Sequence, residues 1–168
     1  MANYLSEIGE KNMATKQLTR AVFKSHVDNF SEMSELPVHV RRKLEAEFGP
    51  SFSSLNLINE KSAEYSTKVL FECLSDRAKL EAVSLDFHNH NSLCISSQVG
   101  CAFGCSFCAT GKIGFKRQLS VSNITDQVLF FSRRKQAGSI SFMGQGEPLA
   151  NPKVFDAISC LTNIHQFG

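Results

Sequence analysis

Three of the six cysteines in the sequence lie within one short segment. Cys101, Cys105 and Cys108 follow the pattern C-x3-C-x2-C, and the aromatic residue Phe107 directly precedes the last cysteine. Three thiolates at this spacing can bind one side of a compact, soft metal centre. The pattern therefore indicates a metal or cluster site rather than a set of disulfide bonds.

Two kinds of centre are compatible with these three cysteines. A structural zinc site requires four ligands, and the nearest further candidates are His88 and His90, which would need a long reach. A 4Fe-4S cluster held by three cysteines leaves one iron open to bind a reactant. Glycines in the same segment would let backbone N–H groups approach the cluster sulfurs, namely Gly100, Gly104, Gly111 and Gly114. The spacing favours the iron–sulfur cluster over zinc or buried core cysteines.

The elements around these cysteines alternate between strand and helix. Leu93–Ser97 predicts a strand that leads into a glycine- and cysteine-rich loop at Gln98–Gly114. A helix capped by Ser122 follows, and then a strand at Ser139–Met143 and a turn. Asn151 caps a last helix. This order is typical of a parallel α/β sheet or barrel.

The first part of the chain is predicted to be mainly helical. Apolar residues at helical spacing predict one helix over Thr15–Phe30 and a second over Pro37–Phe48, where Gly49 ends it. Ser51–Glu60 is the candidate for a short third helix.

A β-hairpin is predicted after these helices. Thr67–Leu74 and Lys79–Phe87 are the two strands, and the polar segment 88–92 is interpreted as a linker. The sequence therefore predicts a helical and hairpin module over residues 1–90 and an α/β region over residues 91–168.

Composition limits what the chain can be. Its 168 residues, 42% apolar and 20% charged, are typical of a globular protein, and a complete parallel barrel needs about 250 residues. Residues 1–92 contain 11 basic and 13 acidic side chains, whereas residues 93–168 contain 7 and 3. No apolar run approaches the roughly 18 residues of a membrane span, and no signal peptide is evident, so we expect a cytoplasmic protein. Two βα units cannot close a barrel, so we also expect a truncated chain.

The motif C-x3-C-x-aromatic-C directly after a strand resembles that of the radical S-adenosylmethionine enzymes. Within them, the segments CISSQVGCAFGCSFCATG, IGFKRQLS and MGQGEPLAN are similar to the rRNA adenine methyltransferases of the RlmN/Cfr family. The similarity continues upstream in ATKQLTRAVFKSHVDNFSEMSELP and TKVLFE. It covers nearly all of this chain but only about the first half of such an enzyme. The implied fold is α/β, with an N-terminal RNA-recognition module and hairpin followed by the first two βα units of a partial radical-SAM α/β barrel.

The resemblance also implies a reaction. The family methylates carbon 2 or carbon 8 of an adenine in large-subunit rRNA, and tRNA is a further candidate substrate. Both carbons are electron-poor, so they do not accept a methyl cation, and a radical route is required. The implied cofactors are S-adenosylmethionine and a 4Fe-4S cluster, reduced by an electron donor such as a flavodoxin. GEPLAN favours the housekeeping carbon 2 enzymes, whereas ATGKIG, ITDQVLFF and SISFMG favour the antibiotic-resistance enzymes that act at carbon 8.

The family's site residues can be carried over to matching positions. Cys101, Cys105 and Cys108 are the implied cluster ligands. Cys94 is the implied thiol that releases the enzyme–RNA adduct by forming a disulfide with a methyl-carrying cysteine, which this chain lacks. Glu81 is the implied acceptor of the adenine ring proton. Gly146 and Glu147 are implied to contact S-adenosylmethionine, the carboxylate receiving its ammonium group.

Simpler interpretations stand beside these roles. Cys94 could be a buried strand cysteine, and Glu81 could be a solvated strand residue. We expect Cys73 and Cys160 to lie on the apolar side of a strand and of a helix, respectively. Several cations could contact RNA phosphates or simply be solvated, namely Lys112, Lys116, Arg117, Arg133, Arg134 and Lys135. The rival functions are a non-enzymatic zinc or iron–sulfur module that binds RNA, and a truncated product without activity.

Overall fold

The computed structural model describes residues 2–10 and 12–162. Residues up to Ser53 belong to one compact unit, and Ser54–Cys160 form a second. The predicted division at residue 90 falls inside the second unit, within the later of two paired strands, Lys79–Phe87 and His90–Cys94. In the polar segment 88–92 that suggested a linker, residues 88 and 89 form the turn and the rest begins the later strand, so its composition reflected a hairpin rather than a domain boundary.

The first unit is built from helices. They are α1 (Ala2–Glu7), α2 (Asn12–Phe23) and α3 (Val38–Phe48), with a 3-10 turn at Phe30–Glu32. Phe30, Val40 and Leu44 are fully buried in this unit. The prediction of α3 is confirmed, whereas α2 ends seven residues before the predicted Phe30. The backbone turns at His26, which has a φ of +52°, and the Asn29 side chain accepts from Glu32 N, which stabilises a new turn in place of the helix.

The second unit contains two sheets. Its strands are β1 (Leu55–Ala63), β2 (Ser66–Cys73), β3 (Lys79–Phe87), β4 (His90–Cys94), β5 (Gln98–Gly100), β6 (Phe115–Gln118) and β7 (Ser139–Ser141). The larger sheet has the order β1-β2-β3-β4-β7, and β5 pairs with β6 in the smaller one. Strands β1 to β4 are antiparallel neighbours, and β7 runs parallel to β4. The predicted hairpin is confirmed as β2 and β3.

Two predictions for this sheet were wrong. The short helix expected at Ser51–Glu60 is strand β1 from Leu55 onwards, because pairing along β2 outweighs weak local preference. The linker expected at 88–92 already contains the start of β4 at His90. That strand then ends at Cys94, before the predicted Ser97.

Helices α4 (Ala109–Ile113), α5 (Val121–Ser132) and α6 (Lys153–Thr162) complete the unit. The chain passes from β4 through α5 to the parallel β7, so the predicted strand–helix–strand order is confirmed. The cap of α5 is Ser120 rather than Ser122, and it forms a reciprocal capping box with Asn123. Helix α5 packs on the sheet, where Phe130 meets the ring of Phe71 edge-on at 5.0 Å between centroids.

The larger sheet has two different faces. Val69, Phe71 and Leu93 are buried and share one face. The alternate residues Glu81 and Cys94 are only partly buried and lie on the other. The two predicted functional side chains are therefore on the open face. Within the described residues, no helix combines the length and apolar character that a membrane span needs.

Candidate active site

The cysteine loop, Cys101–Cys108, connects β5 to α4. Its three cysteines are free thiols, of which Cys105 is exposed and the other two are partly buried. The loop is closed at its base by a hydrogen bond from Cys101 N to the Gly114 carbonyl (3.2 Å). A second bond, from Cys108 N to the Cys105 carbonyl (3.0 Å), forms a tight turn around the last two cysteines.

Two glycines beside this loop approach other backbone atoms closely. Gly100 has a φ of +73°, and a Cβ atom there would lie 1.8 Å from the Gly114 carbonyl oxygen. A Cβ atom at Gly111 would lie 3.1 Å from Cys105 N, so helix α4 also approaches the loop backbone closely. A side chain at Gly100 would push the loop open, whereas one at Gly111 would need the Cys105 backbone to give by a few tenths of an ångström.

One of the three thiols is electrostatically prepared to ionise. Backbone N–H groups of Gly111 and Thr110, in the first turn of α4, lower the pKa of Cys108 below its ordinary value. Thiolate is the form of cysteine that binds metals. Cys108 is therefore suited to be a metal ligand.

The sulfur atoms do not converge on one point. Among residues 2–10 and 12–162, no three His, Cys, Asp or Glu side chains are grouped so as to hold a metal ion. Three free thiols on one short loop are nevertheless the kind of soft donor set that a 4Fe-4S cluster takes. The zinc alternative would need His88 or His90 as a further ligand, and these residues lie before or at the start of β4, whereas the cysteine loop follows β5.

Glu81 and Cys94 are brought together by strand register. Cys94 pairs with Val83, and Glu81 lies two residues before Val83 on the same face. Such diagonal neighbours are about 7–8 Å apart. Glu81 also forms an ion pair with Lys68, Oε1 to Nζ 2.8 Å. Sequence reasoning missed Lys68, since only the register of β2 against β3 shows that it reaches Glu81.

A glycine turn, Gly144–Pro148, packs on a linking segment, Ile95–Gln98, that joins Cys94 to β5. Ser97 N and Gln98 N both donate to the Gln145 carbonyl, at 2.9 and 3.1 Å. Gly146 has a φ of +99°, and a Cβ atom there would lie 2.5 Å from Gln98 Cβ. Glu147 N donates to Gln98 Oε1 (2.9 Å), and the Glu147 carboxylate accepts from Leu149 N (3.1 Å). Gly146 and Glu147 therefore lie against the segment that leads to the cysteine loop.

A hydroxyl that the sequence did not single out connects these parts. Ser96 Oγ donates to the Glu81 carbonyl (2.6 Å) and accepts from Gln145 N (2.9 Å). Ser96 is fully buried. Ser96 thus connects β3, which contains Glu81, to the glycine turn through hydrogen bonds.

Two buried amides fix the linking segment from the other side. Gln127, on α5, accepts from Ser96 N (2.8 Å) and donates to the Ser96 carbonyl (3.0 Å). Asn151 Nδ2 donates to the Ser97 carbonyl (2.7 Å) and the Leu119 carbonyl (2.9 Å). Sequence reasoning missed these contacts. The one signal in the sequence was Gln127 itself, a glutamine among the apolar positions of α5, which could have indicated a buried amide.

Comparisons with known proteins identify the family. Residues 1–48 match the family described as ribosomal RNA large subunit methyltransferase N-terminal domain, and residues 95–166 match the Radical SAM superfamily. The ribosomal RNA large subunit methyltransferase Cfr of Clostridium botulinum strain Hall is 48% identical over 155 residues, covering 91% of this chain and 45% of that protein. The protein of the same name from Staphylococcus aureus is 45% identical over 167 residues, covering 98% and 48%.

A solved structure agrees with these relatives. The crystal structure of a radical SAM methyltransferase from Sphaerobacter thermophilus matches with a TM-score of 0.88 and 27% identity, over 97% of this chain and 49% of that one. The chain therefore spans about half the length of the proteins it matches. The resemblance found in the sequence is confirmed: the chain belongs to the RlmN/Cfr family of radical SAM methyltransferases.

Proposed function

We propose that this chain contributes to an enzyme that methylates carbon 2 or carbon 8 of an adenine in large-subunit rRNA, with tRNA as a further candidate substrate. One observation carries the proposal. Strands β4 and β7 are parallel neighbours, and both the cysteine loop and the glycine turn follow their carboxyl ends. Ligands of α/β folds bind at this edge. We infer that the two strands begin a partial barrel of the radical-SAM type.

Cys101, Cys105 and Cys108 would hold a 4Fe-4S cluster. When bound together with S-adenosylmethionine, the cluster supplies the radical chemistry that electron-poor adenine carbons require. The lowered pKa of Cys108 and the close backbone approach at Gly100 support this assignment. Reduction of the cluster needs an electron donor, for which a flavodoxin is the candidate.

Gly146 and Glu147 would bind S-adenosylmethionine. The Glu147 carboxylate can accept the ammonium group of its methionine part by a charge-assisted hydrogen bond. The hydrogen bond from Glu147 N to Gln98 supports the role, because it fixes the backbone that carries this carboxylate. Gly146 would keep the turn close to Gln98, where a side chain has no room.

Cys94 and Glu81 would act on the RNA adduct. Their place on the open face of the sheet supports this, because both side chains are partly accessible there. Glu81 would take the adenine ring proton as a general base. Lys68, which pairs with Glu81, would hold that carboxylate in position. Cys94 would release the adduct by forming a disulfide with the methyl-carrying cysteine, whose bond to the transferred carbon breaks. An rRNA substrate would place the protein in the cytoplasm.

Anaerobic reconstitution with iron and sulfide tests the cluster. We expect a brown protein with about four irons per chain. A colourless protein that binds a single zinc would instead support the non-enzymatic RNA-binding module.

A second experiment tests methyl transfer. The family's methyl-carrying cysteine corresponds to no residue of this chain, and Cys160 lies on helix α6. We therefore expect no transfer to unmodified rRNA from the chain with S-adenosylmethionine and reductant. Transfer is expected when the second half of a homologue is supplied. Transfer by the chain alone would show that its carrier site is already complete.

A further inference from the structure

Two glutamine side chains lie on the pair of strands that flanks the cysteine loop. Gln98 on β5 and Gln118 on β6 are register partners, and Gln98 Nε2 donates to Gln118 Oε1 (2.9 Å). Strand β5 ends directly before the cysteine loop, and β6 begins directly after Gly114, whose carbonyl closes that loop at its base. This amide pair, Gln98 and Gln118, is therefore part of the structure that carries the loop.

The amide pair also binds the chain around Glu147. Gln98 Oε1 accepts from Glu147 N (2.9 Å), and Gln118 Nε2 donates to the Ala150 carbonyl (2.8 Å). Glu147 caps a 3-10 turn over Pro148–Ala150, so the two glutamines hold both ends of this turn. Each amide accepts with its oxygen and donates with its nitrogen, and hydrogen bonds aligned in this way polarise one another.

Burial makes the loss of either glutamine costly. Gln98 is 1% exposed, and Gln118 is partly buried. An apolar side chain at position 118 would leave Gln98 Nε2 and the Ala150 carbonyl without these partners. A buried polar group that loses its partner costs more free energy than the hydrogen bond contributed. The amide pair therefore keeps the turn that carries Glu147 in one place relative to β5 and β6.

The Glu147 carboxylate is held but not neutralised. One of its oxygens accepts from Leu149 N (3.1 Å), within the turn that the amide pair holds. No cationic side chain among residues 2–10 and 12–162 pairs with it. A carboxylate that is fixed in position and lacks a counter-charge is suited to receive a cationic group of a ligand.

We propose that Gln98 and Gln118 are positioning residues, which fix the Glu147 carboxylate relative to the cysteine loop and so increase the affinity for S-adenosylmethionine. A ligand that binds this carboxylate at one end and the loop region at the other needs a constant separation between them. Groups that are ordered before binding cost less free energy to order during it. The identity of the ligand rests on the proposed function, whereas the positioning of Glu147 does not.

The first experiment uses the chain without cofactors. Hydrogen exchange of the Glu147 amide is measured by NMR in the unaltered chain and in Gln118→Met, which has a similar shape but no amide. We expect about tenfold faster exchange in the variant, because the hydrogen bond to Gln98 is weakened. Ile124→Val is the control, since Ile124 is fully buried on α5 and its loss of a methyl group destabilises the core elsewhere. Equal exchange of Glu147 in Gln118→Met and the unaltered chain would overturn the proposal.

The second experiment measures the Kd for S-adenosylmethionine by equilibrium dialysis, after anaerobic reconstitution. Gln118→Met should weaken binding about fivefold, and Ile124→Val should leave the Kd unchanged. Glu147→Gln should also weaken binding. Combining it with Gln118→Met should cause no further loss, because Gln118 acts only through Glu147. Independent, additive losses would show a general loss of structure and would overturn the proposal.

The two experiments separate this inference from the proposed function. If the unaltered, reconstituted chain binds S-adenosylmethionine and Gln118→Met binds it equally well, the inference alone is overturned. If the unaltered chain binds none, the proposed S-adenosylmethionine site fails, and with it the claim about affinity. The exchange of the Glu147 amide then still decides whether the amide pair positions the turn.

Discussion

The linking segment and the cysteine loop are neighbours in sequence but differ in how they are held. Ser96, Ser97 and Gln98 are buried. They are fixed by the Gln127 and Asn151 side chains and by a bond from Ser96 Oγ to the Glu81 carbonyl. The cysteine loop is largely exposed, and its described backbone bonds are short-range turns and a closure at its base. The protein therefore builds a rigid support for the proposed S-adenosylmethionine site, whereas we expect the loop to need the proposed cluster to gather its three thiols.

The largest expected effect concerns the cysteine loop. Cys101→Ala, Cys105→Ala and Cys108→Ala should each abolish cluster assembly, because loss of one of three ligands exposes the remaining irons. Iron content and visible absorption after anaerobic reconstitution measure this. Cys94→Ala is the matched control and should retain the cluster. Loss of the cluster in that variant, with one of the other cysteines dispensable, would refute the ligand assignment.

Substitutions that weaken the linking segment should lower the stability of the fold rather than remove the cluster from the loop. Gln127→Leu removes both hydrogen bonds to the Ser96 backbone and leaves two buried polar groups unpaired. We expect a loss of about 3 kcal/mol in the free energy of unfolding. Urea denaturation measures this, and Gln136→Leu on the exposed surface is the matched control. Equal stability of the two variants would mean that the amide does not support the segment.

The two regions should also respond differently to an added methyl group. Gly146→Ala places a Cβ atom against Gln98 at a φ of +99°, and we expect it to cost about 2 kcal/mol of unfolding free energy. Gly104→Ala, in the cysteine loop, has a φ of +58° but meets no described atom within 4 Å. It should cost only about 1 kcal/mol, from backbone strain alone. The reverse order in urea denaturation would show that the loop is the more tightly packed region.

The smallest expected effect is a pH-dependent one. Arg117, on β6, forms a bidentate ion pair with Asp76 in the turn after β2, and it lowers the pKa of that carboxyl to about 2. The folded pKa is below the unfolded one, so the stabilisation is present above about pH 4. It is lost as the pH falls towards 2.

Because the pair is partly exposed, it should contribute less than about 1 kcal/mol. Asp76→Asn should therefore lower the melting temperature slightly at pH 7 and by less near pH 2, where the folded carboxyl is about half protonated. Asp156→Asn, whose carboxylate pairs with Lys153 on exposed α6, is the control and should be neutral at both. A difference that grows as the pH falls would contradict the assignment.

The sequence by itself determined the local features of this protein. The spacing of Cys101, Cys105 and Cys108, the glycines around them and the alternation of strand and helix could all be recognised, because each depends on residues close together in the chain. The resemblance to the family rested on the same local motifs, and the comparisons confirm it. Helix α3 was predicted for the same reason, from apolar spacing and the glycine that ends it.

Only the tertiary structure decided which distant residues meet. Strand β1 was mistaken for a helix because its partner β2 supplies the hydrogen bonds that its own sequence does not reveal. The approach of Lys68 and Cys94 to Glu81 depends on strand register, and a shift of one residue would turn these side chains to the other face. The role of Ser96 depends on contacts 15 and 49 residues away, which no local pattern encodes. Local propensity therefore predicted the parts of the site, and nonlocal hydrogen bonding assembled them.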